Sequence, residues 1–245
     1  MGDDQKSDEP IGDVDPRLLQ VLESAARLQE LVPDAVLVGG MAAAIYAKHR
    51  LSLDHDHVLK DLRERFDIVL DALEREPDWV TNRVTPGKII LGQIGNIEAG
   101  VRQLIRKVPL ETQAIALPSG RHVVAPTPEE TLRIKAFLIV KRNQVRDYLD
   151  VAALADRYGV EDAARTLADI DRYYADEMRD GVPVATQVAR QLAAPRPADS
   201  RTLQTLASYK GLNPRWQDWE TVTQLCRAVA VHMLDKSSNE GPEQL

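Results

Sequence analysis

The chain changes its hydrophobic period once, and that change limits its fold more than any other feature. Between Trp79 and Pro126 the segments "WVTNRV", "KIILGQIG", "NIEAGVRQL", "ETQAIAL" and "RHVVAP" are short, β-rich and separated by Gly or Pro. The pattern predicts antiparallel strands or hairpins, with Pro118-Ser119-Gly120 as the turn between the last two. At Thr127 the chain turns helical. "TPEE" puts Thr127 at an N-cap, Pro128 at the first helical position and Glu130 at the third, the pattern of a capping box. Further helices are expected at about 143–158, 161–178, 183–193 and 216–234, with "AAPRPADS" as a loop.

Upstream of the strands, Leu18, Leu22, Ala25 and Leu28 fall at helical spacing and predict a helix from about Asp15 to Leu31. Residues 1–15 are acidic and polar, and disorder is expected there. "AVLV" at 35–38 reads as a short buried strand stopped by Gly39-Gly40, and "MAAAIYAKH" as an Ala-rich helix. "SLDHDHVL" at 52–59 reads as the next strand, followed by a helix over roughly 60–75. The expected division is a mixed α/β domain over 16–125, a helical domain over 126–236 and a polar tail over 237–245.

Composition narrows the class. A chain of 245 residues makes one large domain or two small ones. Its net charge of −7 argues against nonspecific coating of nucleic acid, although phosphate attraction follows local charge. Cys226 is the sole cysteine, which excludes an internal disulfide and a cysteine-rich zinc site. "MGDDQKSDEP" lacks the basic and apolar regions of a signal peptide, and "AVLVGGMAAAIYA" is too short to span a bilayer. A cytoplasmic protein with no membrane partner is expected.

The chemistry concentrates in "SLDHDHVL". Alternate side chains of a strand share a face, so Asp54 and Asp56 point one way with Ser52, and His55 and His57 the other. Two carboxylates at i and i+2 suit a hard cation such as Mg²⁺, whereas imidazoles suit softer metals. The metal hypothesis therefore belongs to the aspartates, and the histidines are read as structural or partly exposed.

"VGG", thirteen residues and then "DHD" resembles the signature of the polymerase-β-type nucleotidyltransferase superfamily. The fuller string "LVGGMAAAIYAKHRLSLDHD" resembles its AbiEii-like and MenT-like branch, the nucleotidyltransferase toxins of bacterial toxin–antitoxin and phage-defence systems. The shared features are the Gly pair, an Ala-rich helix, the basic step His49-Arg50 and S-x-D-x-D. The chain departs from that branch at His55 and His57, where hydrophobic residues are usual. The resemblance implies an α+β fold, a nucleotidyltransferase-type mixed sheet flanked by helices and followed by an all-helical region. It also implies Mg²⁺ (or Mn²⁺) held by Asp54 and Asp56, and NTP phosphates held at Gly39, Gly40 and Ser52. The physical logic is consistent: glycines let backbone approach a triphosphate, and a helix N-terminus favours anions. A third carboxylate is common in the superfamily. Glu98 is the candidate, on a strand face shared with Gly100 and Arg102.

The same branch carries a Lys on a helix and then an Arg-Asp pair opening the next one. "TPEETLRIKAFLIVKRNQVRDYLDV" supplies Lys135 and Arg146-Asp147, with Asp150 one turn on. By resemblance Lys135 and Arg146 bind the nucleotide and Asp147 completes the catalytic set, with Asp150 a competitor for that role. Lys135, Arg142 and Arg146 form one stripe if a single helix runs through them. From Gly100 to Arg146 nine Lys/Arg residues face three Asp/Glu, a basic stretch suited to triphosphate or RNA backbone. The resemblance further implies a tRNA 3′ end as acceptor and a cognate antitoxin as partner. Two other readings use the same residues: transfer to a small molecule or a protein, and a non-catalytic relative that binds a partner. "PGKII" and "GQIGNIEAG" fail as phosphate-binding motifs. Cys226 and His232 are read as packing residues, and Trp216 and Trp219 as a helical anchor.

Overall fold

The structure, a computed structural model, describes residues 15–209 and 211–239. The expectations for the residues before Asp15 and beyond Asn239 lie outside the described residues. The chain forms two compact units. The first takes residues up to Ala42, then Ser52–Ile105 and Glu111–Pro126; the second takes Ala43–Leu51, Arg106–Leu110 and residues from Thr127. Two short segments expected in the α/β part thus belong with the helices.

The first unit is built on a five-stranded sheet. Its strands are β1 (Val36–Val38), β2 (Asp54–Leu59), β3 (Trp79–Thr85), β4 (Ile89–Ile94) and β5 (Ile97–Gln103), in the order β1-β2-β5-β4-β3. Only β2 and β5 run parallel; the other neighbours are antiparallel. In β2 and β4 every second residue is buried, as expected for strands with one face on a core. The helices α1 (Pro16–Leu31) and α3 (Phe66–Glu74) supply the other half of that core. Leu28, Phe66, Val69 and Leu73 pack with Leu59, Trp79, Ile90, Ile94, Ala99 and Val101 of the sheet.

A hairpin of β6 (Thr112–Ala116) and β7 (His122–Pro126) forms a separate small sheet around the expected Pro118-Ser119-Gly120 turn. The Gln29 side chain of α1 donates to Val124 O and accepts from Val124 N, both at 2.8 Å. One amide thus satisfies both backbone groups of a β7 residue.

Three boundaries differ from the sequence reading. Helix α2 runs Gly39–Ala47, so the Gly pair forms its first turn instead of ending β1 in a loop. Gly39 has φ +78, a backbone state that favours glycine and lets the strand turn at once into the helix. Strand β2 starts at Asp54, which leaves Ser52 ahead of the strand. Residues 60–65 form turns, closed by Arg65 N donating to Asp61 O, and delay α3 to Phe66.

The second unit is helical apart from one isolated bridge between Arg179 and Val182. Helix α4 (Pro128–Arg142) starts as expected, with Thr127 Oγ1 accepting from Glu130 N at 3.2 Å. Only that half of the capping box forms. The Glu130 carboxylate is buried and accepts from Arg106 at 2.5 Å and Arg133 at 2.8 Å. Asn143, with φ 50 and ψ 53, ends α4, and α5 (Val145–Tyr158) is a new helix. The stripe of Lys135, Arg142 and Arg146, conditional on a single helix through all three, does not form, because Arg146 lies on the second helix.

The helix expected over 161–178 divides into α6 (Val160–Ala168), α7 (Asp171–Tyr174) and a short 3-10 turn. Helix α8 (Val184–Ala193) follows, then 3-10 segments at Ser200–Ser208 and Pro214–Gln217. Helix α9 (Trp219–Asn239) begins after Asp218, whose carboxylate accepts from Glu220 N and Thr221 N. That cap separates Trp216 from Trp219, which do not share a helix. At its other end α9 extends into the segment read as a polar tail. Among the described residues no helix is long and apolar enough to cross a membrane.

Candidate functional site

Strand register builds the carboxylate face of the first unit. Asp54 pairs with Glu98 on β5, and Glu98 with Gln93 on β4. In the next row Val38, Asp56, Gly100 and Leu91 are partners, followed by Val58, Arg102 and Ile89. Registered partners share a face, so Asp54, Asp56, Glu98 and Arg102 lie on one side of the sheet. His55 and His57 lie on the other, among the core residues. The strand parity read from "SLDHDHVL" is the parity of the structure.

Gly100 makes room for Asp56, and Gly39 lies in ordinary contact with it. A Cβ at Gly100 would stand 2.9 Å from Asp56 Oδ1 and 2.9 Å from Leu91 Cδ2. A Cβ at Gly39 would meet Asp56 Cβ at 3.5 Å and Oδ2 at 3.6 Å. The Asp56 carboxylate is thus laid across the β5 backbone and beside the first residue of α2. Asp54 is oriented by Ser52, whose hydroxyl donates to Asp54 Oδ1 at 3.2 Å. Ser52 itself is buried. Gly100→Ala should cost about 1 kcal/mol, because the two crowded groups are ends of flexible side chains that can yield. Urea unfolding measures this, and an unchanged midpoint would show that Asp56 swings away freely.

The donor set suits a hard divalent cation. It is all oxygen, it stands at i and i+2 on one strand, and Asp56 keeps 35% of its side chain exposed. Glu98 does not join it as a converged ligand: among the described residues no three His, Cys, Asp or Glu side chains group as a metal site. A cation held by the aspartate pair would take its remaining ligands from water or substrate oxygens. Arg102 Nε donates to Asp56 Oδ1 at 3.2 Å.

On the reverse face, His55 Nε2 lies 3.0 Å from Ser24 Oγ. His55 Nδ1 is buried without a hydrogen-bond partner, the buried His57 nitrogens make no well-formed hydrogen bond beyond a contact with the Gly100 backbone, and the two rings meet edge to face at 5.2 Å. Burial lowers the pKa of both imidazoles, that of His55 to about 4. They are neutral core residues, as read from the sequence.

The second unit contains a buried charge centre on Asp150. Its Oδ1 accepts from His49 Nε2 at 2.8 Å and Arg50 Nε at 2.9 Å. Its Oδ2 pairs with Lys135 Nζ at 2.6 Å and accepts from Arg50 Nη2 at 3.1 Å. All four side chains are at most 3% exposed. Burial raises the Asp150 pKa, but Arg50 and Lys135 outweigh it and hold the carboxyl well below the usual range. Burial lowers Lys135, against the opposing pull of Asp150. Asp147 is equally buried but pairs elsewhere, accepting from Arg142 Nε and Nη2 at 2.7 Å each. Arg146 is outside both groups, donating to Gln144 Oε1. Lys135 thus pairs directly with Asp150, while Asp147 acts on it only through its charge. The signal for this centre was the His49-Arg50 step, which the sequence reading quoted without a partner.

Comparison with known proteins follows from this geometry. The chain is 33% identical over 241 residues to the heme uptake protein MmpL11 of Mycobacterium tuberculosis. It is 30% identical over 233 residues to the mycolic acid-containing lipids exporter MmpL11 of Mycolicibacterium smegmatis. These matches take in 89% and 90% of this chain but only 23% and 22% of the relatives, so the chain spans less than a quarter of their length. No family model matches. In structure the chain is similar to an H. pylori protein assigned as a nucleotidyltransferase, at 15% identity and a TM-score of 0.53. That similarity covers 94% of this chain and 100% of the other. The fold is therefore α+β of the nucleotidyltransferase type, a mixed sheet flanked by helices and followed by a helical region.

Proposed function

We propose that the chain is a nucleotidyltransferase that moves a nucleoside monophosphate from an NTP to an acceptor hydroxyl. The observation that carries this reading is the Asp54–Asp56 pair, aligned on one sheet face with Gly100 clearing space for the Asp56 carboxylate and Gly39 beside it. A bound Mg²⁺ or Mn²⁺ on these two aspartates supplies charge neutralisation for the triphosphate. Ser52 holds Asp54 in aim, and the amides at the start of α2 face the negative charge that the glycines allow to approach. The acceptor oxygen forms a bond to the α-phosphorus as the bond to pyrophosphate breaks. The acceptor's proton goes to a carboxylate or to solvent.

The sequence resemblance supports the finer reading: a toxin of the AbiEii-like and MenT-like type, with a tRNA 3′ end as acceptor and an antitoxin that restrains it. In that reading Lys135 and Arg146 contribute to nucleotide binding and Asp147 to the acceptor side. The pairing of Lys135 with Asp150 adds Asp150 to the residues that this role depends on.

A second reading rests on the MmpL11 similarity. A stretch similar to this chain, at 33% and 30% identity, lies within much longer proteins named for transport. There it would serve as a partner-binding module on a nucleotidyltransferase fold.

One assay separates them. The protein is incubated with each α-labelled NTP, Mg²⁺ and total tRNA, alongside Asp54→Asn and Asp56→Asn. Transfer to tRNA that falls at least roughly tenfold in both variants supports the first reading. Label on the protein itself points to a protein acceptor. No transfer to any acceptor by the wild type sinks the enzyme reading and leaves the binding module.

A further inference from the structure

Arg102 stands where an external cation has to bind. It lies one pleat beyond Gly100 on β5, in register with Val58, and reaches diagonally over the glycine to Asp56. The absence of a side chain at residue 100 opens that path: a Cβ there would already be 2.9 Å from Asp56 Oδ1, the same atom that Arg102 contacts. The face otherwise carries three carboxylates in two adjacent rows, Asp54, Glu98 and Asp56. A guanidinium among them offsets their mutual repulsion. Both partners are open to water, with 46% of the Arg102 side chain and 35% of the Asp56 side chain exposed. Exposed pairs of this kind contribute little to stability, so the contact is easily exchanged.

We propose that Arg102 is an internal placeholder for the divalent cation, a positioning residue that holds Asp56 in place until the ion displaces it. The inference rests on the reading of Asp54 and Asp56 as the metal pair. A doubly charged ion between the two carboxylates outcompetes a single guanidinium at one of them. The displaced guanidinium remains tethered to the same face, where its planar fork matches the oxygens of a phosphate. Arg102 then changes partner from carboxylate to phosphate as the site loads, and metal and nucleotide bind in a linked order.

The test is Mn²⁺ binding, read from the free-ion electron paramagnetic resonance signal without nucleotide. It is applied to the wild type, Arg102→Gln, Arg102→Lys, Arg83→Gln and Asp56→Asn. Arg102→Gln should bind Mn²⁺ roughly two- to tenfold more tightly than the wild type. Arg102→Lys keeps the charge and should return most of the way to wild-type affinity. Arg83 lies in the Asp56 row but beyond Leu91, so Arg83→Gln should change affinity less than twofold. Binding seen only in Arg102→Gln supports the proposal as its extreme case. Affinity in Arg102→Gln equal to or below wild type overturns the proposal, while loss of binding in Asp56→Asn still upholds the metal pair. Binding that survives Asp56→Asn, or no binding by any variant, overturns both.

Discussion

Asp150→Asn should lower the free energy of unfolding by about 3–5 kcal/mol, because it leaves buried cations beside a neutral amide. Domains of this kind are stable by only about 5–15 kcal/mol, so the variant is expected to be close to unfolding at 37 °C. The native carboxylate receives His49, Arg50 and Lys135 together, in surroundings with almost no solvent. None of the three can turn to water when the charge is removed. Asp147→Asn is the control. Its partner Arg142 keeps 33% of its side chain exposed, so the guanidinium reaches solvent and the loss should be smaller. Urea unfolding at pH 7 measures both, and a larger loss for Asp147→Asn would overturn the ranking. The sign of the pH dependence follows. The folded Asp150 pKa is depressed, so its contribution is present above the unfolded carboxylate pKa and is lost as pH falls through the folded value. A double variant with Lys135→Met should recover part of the loss, because one of the two buried cations is gone.

His57→Leu should move stability the other way, by about 1–3 kcal/mol. The His57 ring is fully buried between Leu37 and Val101, its register partners on β1 and β5; neither nitrogen makes a well-formed hydrogen bond, and its one polar contact is with the Gly100 backbone. Each unsatisfied buried nitrogen costs desolvation that a leucine of similar size avoids. Transfer activity should survive the change, since the ring lies on the sheet face opposite Asp54 and Asp56. A less stable His57→Leu would show that the imidazole is hydrogen-bonded in the folded protein. His55→Leu should gain less, because it gives up the contact with Ser24.

The sheet was legible where its local rules act alone. Alternation in "SLDHDHVL" separates the aspartates from the histidines without any knowledge of neighbouring strands. The five β-rich pieces after Asp78 are five strands, and Thr127 caps a helix. What local pattern misses is set by partners distant in sequence. His49 and Arg50 meet a carboxylate about a hundred positions later, and nothing at residue 150 distinguishes it from Asp147. The Glu130 side chain abandons its expected reach to the N-cap for two arginines, since buried guanidiniums attract a carboxylate more strongly than an amide does. The helix boundary near residue 143 was expected, but not that Asn143 forms it in the left-handed state, which Asn accepts but does not demand. Glu98 was rightly placed beside Asp54, yet a shared face did not bring it into a three-carboxylate cluster.

The path of the chain has a consequence for inheritance. Because the chain crosses between the two units at residues 43–51 and 106–110 and again at Thr127, no single cut in the backbone separates them. A fragment ending at Pro126 strands the segment bearing His49 and Arg50 away from Lys135 and Asp150. A fragment starting at Thr127 lacks that segment. Gene fusion or recombination can therefore transplant this stretch only whole, as a cassette of both units. The alignment of nine-tenths of it with one short portion of a much longer protein fits that rule.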